Sequence, residues 1–242
     1  MTPRTVLSRA RLAPGDGPLL VSVGVFDGLH LGHAWLLDHL VAEARRRIAR
    51  PTVITFDAHP DAVLVGAAPP LLMDPAERLE RLATIGVELV VIEHFDDTLR
   101  QTPYDVFVHG ILQRTTLAGF VMTPDAAFGH DRQGTPATLA ELGRGEGFEV
   151  VLVPPFTLDG HEVRSSEIRA AIGAGDMATA ERLLGRPYAV SGTVDDEGRL
   201  TFPMPVAVPG PGTYATTAGS LVVTANTLET TAPPGPTRIE FR

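Results

Sequence analysis

The stretch Leu20-Val21-Ser22-Val23-Gly24-Val25-Phe26 is almost wholly apolar and rich in β-branched residues. Asp27-Gly28 ends it before the apolar spacing changes to the helical period at Leu36, Leu37, Leu40 and Val41. The pattern predicts a buried strand, a tight turn and an amphipathic helix. The alternation then repeats: strands at 51–56, 88–92, 119–122 and 149–153, with helices at 75–83, 104–112 and 138–142, the first of these capped by Asp74. Strands alternating with helices predict an α/β fold with a doubly wound parallel sheet, whose ligands sit beyond the carboxyl ends of the strands. From about Gly185 the texture changes. Prolines and glycines crowd 203–212, short β-like runs occur at 221–224 and 237–241, and no helical period remains. A second, small and mostly-β unit is expected there, dividing the chain into domains at 1–184 and 185–242.

Composition narrows the chemistry. The 242 residues are 44% apolar, enough for a sizeable core, and no apolar run reaches membrane-spanning length. Residues 1–16 carry arginines and prolines and no apolar core, so no signal peptide is expected and a cytoplasmic location follows. Cysteine is absent, which excludes thiolate metal sites and cysteine nucleophiles. Lysine is absent as well, so a P-loop or a Schiff-base mechanism is excluded and any phosphate clamp must use Arg, His, hydroxyls or backbone N–H groups. A formal charge of -9 argues against a nucleic-acid partner while leaving room for a small anionic substrate.

The turn after the first strand opens a helix with His30 and His33, three apart and therefore on one face, separated by Gly32. Unpartnered N–H groups and the helix dipole make such a terminus receptive to phosphate. Imidazole donors there suit nucleotidyl transfer, in which the protein mainly positions reactants and neutralises charge building on the α-phosphate. Asp57, His59 and Pro60 follow the second strand and are expected to face the same crevice, although Asp and His also make ordinary turns. Farther on, Ser165 is placed to cap a helix, with Ser166 beside it and Arg169 one turn along the same face, a second potential phosphate site. The arginines at 45–47 read as residues complementing a helix dipole.

Taken in order, Gly24-Val25-Phe26-Asp27-Gly28-Leu29-His30-Leu31-Gly32-His33, Thr55-Phe56-Asp57-Ala58-His59-Pro60, Phe128-Gly129 and Ser165-Ser166-Glu167-Ile168-Arg169 resemble the FMN adenylyltransferase module of the bacterial bifunctional FAD synthetases, over about 19–188. Gly185-Arg186-Pro187-Tyr188 resembles the junction leading to their riboflavin kinase module. The resemblance implies an HxGH nucleotidylyltransferase fold followed by a reduced barrel. It also implies transfer of the adenylyl group of ATP to FMN, giving FAD and pyrophosphate, with Mg²⁺ arriving on ATP rather than in a protein-built metal site. By it, His30, His33 and Arg169 are catalytic. Gly24, Val25, Phe26, Asp27, Gly28, Gly32, Ser165 and Ser166 bind the nucleotide, and Asp57, His59, Pro60, Asp125, Phe128 and Gly129 bind the acceptor.

Two departures change the expectation. Where the family has Asn-Phe-Arg-Phe-Gly or close to it, this chain has Asp125-Ala126-Ala127-Phe128-Gly129, losing an aromatic and a basic group. Where a working riboflavin kinase has Phe-Pro-Thr-Ala-Asn, this chain has Phe202-Pro203-Met204-Pro205-Val206, and neither Met nor Val ligates Mg²⁺. Kinase activity is therefore expected to be absent. Two alternatives stay open: a different phosphorylated acceptor, or a non-catalytic flavin- or nucleotide-binding protein.

Overall fold

The computed structural model describes residues 3–242. By contact density the chain divides into two compact units: residues up to Phe26, His33–Ala68 and Leu79–Phe156 form the first, and Asp27–Gly32, Pro69–Arg78 and Thr157–Arg242 the second.

The first unit is built on a six-stranded sheet of β1 (Arg4–Leu7), β2 (Leu19–Val23), β3 (Arg50–Phe56), β4 (Leu89–Glu93), β5 (Leu117–Met122) and β6 (Glu149–Leu152). The spatial order is β1-β4-β3-β2-β5-β6 and every pairing is parallel. The elements between the strands are α1 (Leu31–Arg47), the single turn α2 (Asp61–Leu64), α3 (Pro75–Ile85), the single turn α4 (Asp97–Arg100), α5 (Tyr104–Leu112) and α6 (Pro136–Glu146). The α/β fold with a parallel sheet expected from the alternating pattern is present. Leu19, Leu20 and Val21 are all completely buried, which is why β2 reads as a continuous apolar run instead of alternating. Asp74 caps α3, its carboxylate accepting from the N–H groups of Ala76 (2.8 Å) and Glu77 (3.2 Å). At the end of α1, Arg46 and Arg47 both pair with Glu43, and Arg47 also reaches Glu149 at 2.6 Å, so these arginines serve the helix end.

Beyond β2 the chain order runs one way through β3 and β4 and the other way through β5 and β6, so the topological switch point lies at the carboxyl ends of β2 and β5. Strand β1 was not expected. It is a four-residue edge strand in which only Val6 is buried, too short and too polar to give a period-2 signal.

The long C-terminal part of the second unit opens with the hairpin β7 (Thr157–Leu158) and β8 (His161–Glu162), then α7 (Ser165–Gly173) and α8 (Met177–Leu184). Strands β9 (Ala189–Val194), β10 (Leu200–Thr201), β11 (Gly212–Thr216), β12 (Gly219–Val223), β13 (Leu228–Thr230) and β14 (Gly235–Glu240) form two antiparallel three-stranded sheets, β10-β9-β14 and β11-β12-β13. Bridges at Arg199–Glu229 and Thr216–Phe241 join them, and Phe241 stacks on Tyr188 at 5.6 Å. This is the small mostly-β part expected beyond Gly185. Among the described residues no helix is long and apolar enough to cross a membrane.

Candidate active site

The segment after β2 is held in a conformation that few residues adopt. Phe26 (φ 52°), Gly28 (φ 78°) and Leu29 (φ 39°) all occupy the left-handed region, which costs a non-glycine residue roughly 1–3 kcal/mol. Such a backbone persists only where its surroundings over-determine it, and here Asp27 does so. Its side chain is buried, both carboxylate oxygens accept from the Leu72 N–H at 3.0 and 3.1 Å, and Oδ2 pairs with Arg169 at 2.5 Å. Burial pushes the Asp27 carboxyl above its ordinary value, opposed by Arg169 and the Leu72 N–H. The Asp27 carbonyl accepts from Ser165 Oγ (3.1 Å), and Arg169 Nε donates to the Pro70 carbonyl (2.8 Å). Arg186 completes the clamp, donating to the carbonyls of Gly28 (2.5 Å) and Leu29 (3.1 Å).

His30 therefore sits in a fixed and desolvated position, 5% exposed. Burial, and then the cations of Arg186 and Arg169, push its pKa down to about 4, so at neutral pH it is an uncharged imidazole that can donate one N–H. Gly32 is required by close approach: a Cβ there would lie 3.2 Å from the His30 ring and from the Val163 carbonyl. In the first unit, His33 is oriented by Phe26, whose ring meets it edge-on at 5.2 Å.

The depressed His30 pKa makes stability acid-sensitive. An unfolded imidazole titrates near 6.5 and the folded one near 4, so between those values only the unfolded chain binds the proton. Stability should fall as the pH drops from 6.5 toward 4, by about 3 kcal/mol across the window. Urea unfolding at several pH values should show His30→Gln to be flatter than the wild type over this range; equal slopes would mean that His30 is not the titrating group.

A different site occupies the first unit. A cavity of about 420 Å³ is lined by Val23, Gly24, Val25, Phe56, Pro60, Leu64, Phe95, Leu99, Phe107 and the stretch 127–132, with Arg100 among them, and most of its lining is apolar. Phe56 meets Phe95 edge-on at 5.2 Å, and Phe128 packs against Phe107 at 5.3 Å and Phe120 at 5.6 Å. A second, more polar cavity of about 230 Å³ lies at the carboxyl ends of β2 and β5 and is lined by Ser22, Val23, Leu36, residues 120–123, residues 125–128 and Arg132. Val23, Ala127, Phe128 and Arg132 border both. The larger volume falls within the range of small-molecule sites.

Of the residues singled out by sequence, Gly24, Val25, Pro60, Phe128 and Gly129 line the aromatic cavity, and Asp125 lines the polar one. Asp57 and His59 line neither. Burial would raise the Asp57 carboxyl, but hydrogen bonds from His94 (2.6 Å) and the Phe95 N–H (3.2 Å) hold it below its ordinary value, while His59 Nδ1 accepts from the Asp61 N–H at 3.2 Å in the turn into α2. Ser165 does not cap α7. Arg164 holds the cap position, and the Ser165 hydroxyl is committed to the Asp27 carbonyl; Ser166 is the second residue of the helix. Arg186, Leu72, Phe95, Phe107 and Arg132 were not foreseen. Arg186 follows the left-handed glycine that ends α8, a signal visible in sequence, but the carbonyls it grips are far away along the chain, Gly28 by 158 residues.

A family model described as FAD synthetase matches residues 14–167. The bifunctional riboflavin kinase/FMN adenylyltransferase of Haemophilus influenzae is 33% identical over 182 residues, 74% of this chain and 59% of that protein. This chain thus spans somewhat under two thirds of the length of such bifunctional relatives. A Listeria monocytogenes protein called FAD synthetase is 29% identical over 91% of this chain and 90% of its own length. Among solved structures, one called a macrolide-efflux protein from Streptococcus pneumoniae superposes with a TM-score of 0.83 over 100% of this chain and 98% of its own, at 23% identity, which supports the fold.

Proposed function

Since the chain belongs to the FAD synthetase family, we propose that it is an Mg²⁺-dependent adenylyltransferase that converts FMN and ATP to FAD and pyrophosphate. The observation that carries this reading is the aromatic cavity of about 420 Å³ beside the carboxyl ends of the strands, in a chain of this family. In the reaction a phosphate oxygen of FMN attacks the α-phosphorus of ATP, the bond to the β-phosphate breaks, and pyrophosphate leaves. Negative charge grows on the α-phosphate oxygens and on the leaving group. We assign His30, as a neutral donor, and His33 to the former, and Ser166 and the α7 N-terminus to the latter, with Ser165 and Arg169. Gly24, Val25, Phe26, Asp27, Gly28 and Gly32 shape the nucleotide-binding loop.

Arg169 would have to be shared with, or released from, Asp27 to reach a phosphate. Its bonds to Asp27 and to the Pro70 carbonyl equally support a role in fixing the loop. Mg²⁺ enters as part of the substrate. The ion is assigned to the phosphates of ATP, which supply the oxygen ligands that Mg²⁺ prefers.

We further propose that 1–184 is the transferase module and that 185–242 is a kinase remnant without kinase activity. In support, the segment Pro203-Met204-Pro205-Val206 is taken up by Leu71, whose N–H donates to the Pro205 carbonyl at 2.9 Å and whose carbonyl accepts from Ala207. Ala126 and Ala127 favour a second reading in which the acceptor is another phosphorylated aromatic compound. Purified protein should release pyrophosphate from MgATP with FMN and form FAD, identified by chromatography, and should form no FMN from riboflavin. A different adduct would replace the acceptor, and no turnover with any acceptor would overturn the enzymatic reading. A cytoplasmic location fits these substrates.

A further inference from the structure

The aromatic cavity suits a ring system, but a phosphorylated acceptor also needs a cation at its edge, and the loop Asp125–Ala126–Ala127 offers none. Three basic side chains line the cavity: Arg100, His130 and Arg132. Two of them have carboxylate neighbours on their own segment, Arg100 with Asp97 at 3.0 Å and His130 with Asp131 at 3.3 Å. Arg132 instead makes one long hydrogen bond, to the Asp125 carbonyl at 3.3 Å. It is also the one basic residue of the three that borders both the aromatic and the polar cavity.

The backbone is bent to put it there. Gly129 (φ 76°), Asp131 (φ 51°) and Arg132 (φ 56°) are left-handed within four residues, and two of the three are not glycine. The bend is pinned at its base by paired hydrogen bonds between Phe128 and Gly134 (2.9 and 3.3 Å) and on its flank by the His130 N–H to the Thr102 carbonyl (2.9 Å). A Cβ on Gly129 would lie 2.8 Å from the Tyr104 backbone, so the turn is seated closely against the start of α5.

We propose that Arg132 is the specificity residue that recognises the acceptor's phosphate, supplying from beyond Gly129 the cation that the loop before it lacks. A guanidinium between an aromatic and a polar cavity can pair bidentately with a phosphate whose rings fill the former. The inference rests on the flavin reading of the cavity, and the test separates the two. Flavin fluorescence quenching is titrated with FMN and with riboflavin, which differ only in the phosphate, on the wild type, Arg132→Ala and Arg132→Lys.

The wild type should prefer FMN. Arg132→Ala should bind FMN at least tenfold more weakly while changing riboflavin affinity less than twofold, and Arg132→Lys should recover part of the loss. Equal losses for both flavins would make Arg132 a support of the cavity wall and overturn the proposal, as would no loss for either. A wild type that binds neither flavin would overturn the reading of the cavity itself.

Discussion

Asp27→Asn is expected to destabilise the protein by about 1–3 kcal/mol: Arg169 loses its carboxylate, while relief of the buried Asp27 charge offsets part of that loss. The asparagine keeps one oxygen for the Leu72 N–H but carries no charge, leaving Arg169 facing an uncompensated position. That arginine side chain is only 17% exposed, so water cannot replace the lost carboxylate cheaply. Three segments distant in sequence meet at this one side chain: Leu72, α7 through Arg169, and the loop to which Asp27 itself belongs. Urea unfolding of Asp27→Asn, Arg169→Met and the double variant forms a cycle that isolates the pair. The double variant should be clearly more stable than the sum of the single losses predicts, because removing both charges leaves none buried alone. Strict additivity would show that the two side chains do not act as a unit, and the account of how the loop is held would fail with it.

The elements of the sheet were legible because burial on both faces leaves uninterrupted apolar runs, as at Leu19–Val23, and because Asp74 followed by Pro75 spells a helix start. The edge strand β1 was not legible, since Val6 is its only buried residue. Helix α8 could have been read from Asp176 with Thr179 three residues on and Gly185 after the last turn, but the change of texture toward proline and glycine just beyond it masked the signal.

The same division holds at the site. His30, Gly32 and His33 become candidates by spacing, and Phe128-Gly129 by resemblance. The clamp of Arg186 on Gly28 and Leu29 does not, because two backbone carbonyls carry no sequence signature. Nor does the aromatic cavity, whose phenylalanines come from β3, from the loop after β4, from α5 and from the loop before α6. Each of them alone looks like core. Asp57 and His59, read as candidates from their place after β3, are engaged with His94 and in a turn, and line neither cavity.

Replacing His30 or His33 with alanine should lower turnover by roughly a hundredfold or more while changing the apparent ATP requirement little. Timing is the reason. Charge accumulates on the α-phosphate oxygens as the acceptor oxygen approaches, so a donor fixed where that charge develops acts on the transition state more than on bound ATP. His30 meets the requirement of fixity through the Arg186 clamp and the Asp27 pair, and it is already neutral, so it does not need to lose a proton to serve.

It follows that the part of the pH dependence of turnover that belongs to His30 should lie near its folded value of about 4 and not near the 6.5 of an ordinary histidine. His30→Asn and His33→Asn, which keep a donor on a shorter side chain, should lie between alanine and the wild type, and thermal unfolding of each variant separates lost catalysis from lost structure. If kcat is unchanged and only the ATP requirement rises, the histidines bind the ground state. The transition-state charge would then have to be met by the helix N-terminus and the metal carried on ATP.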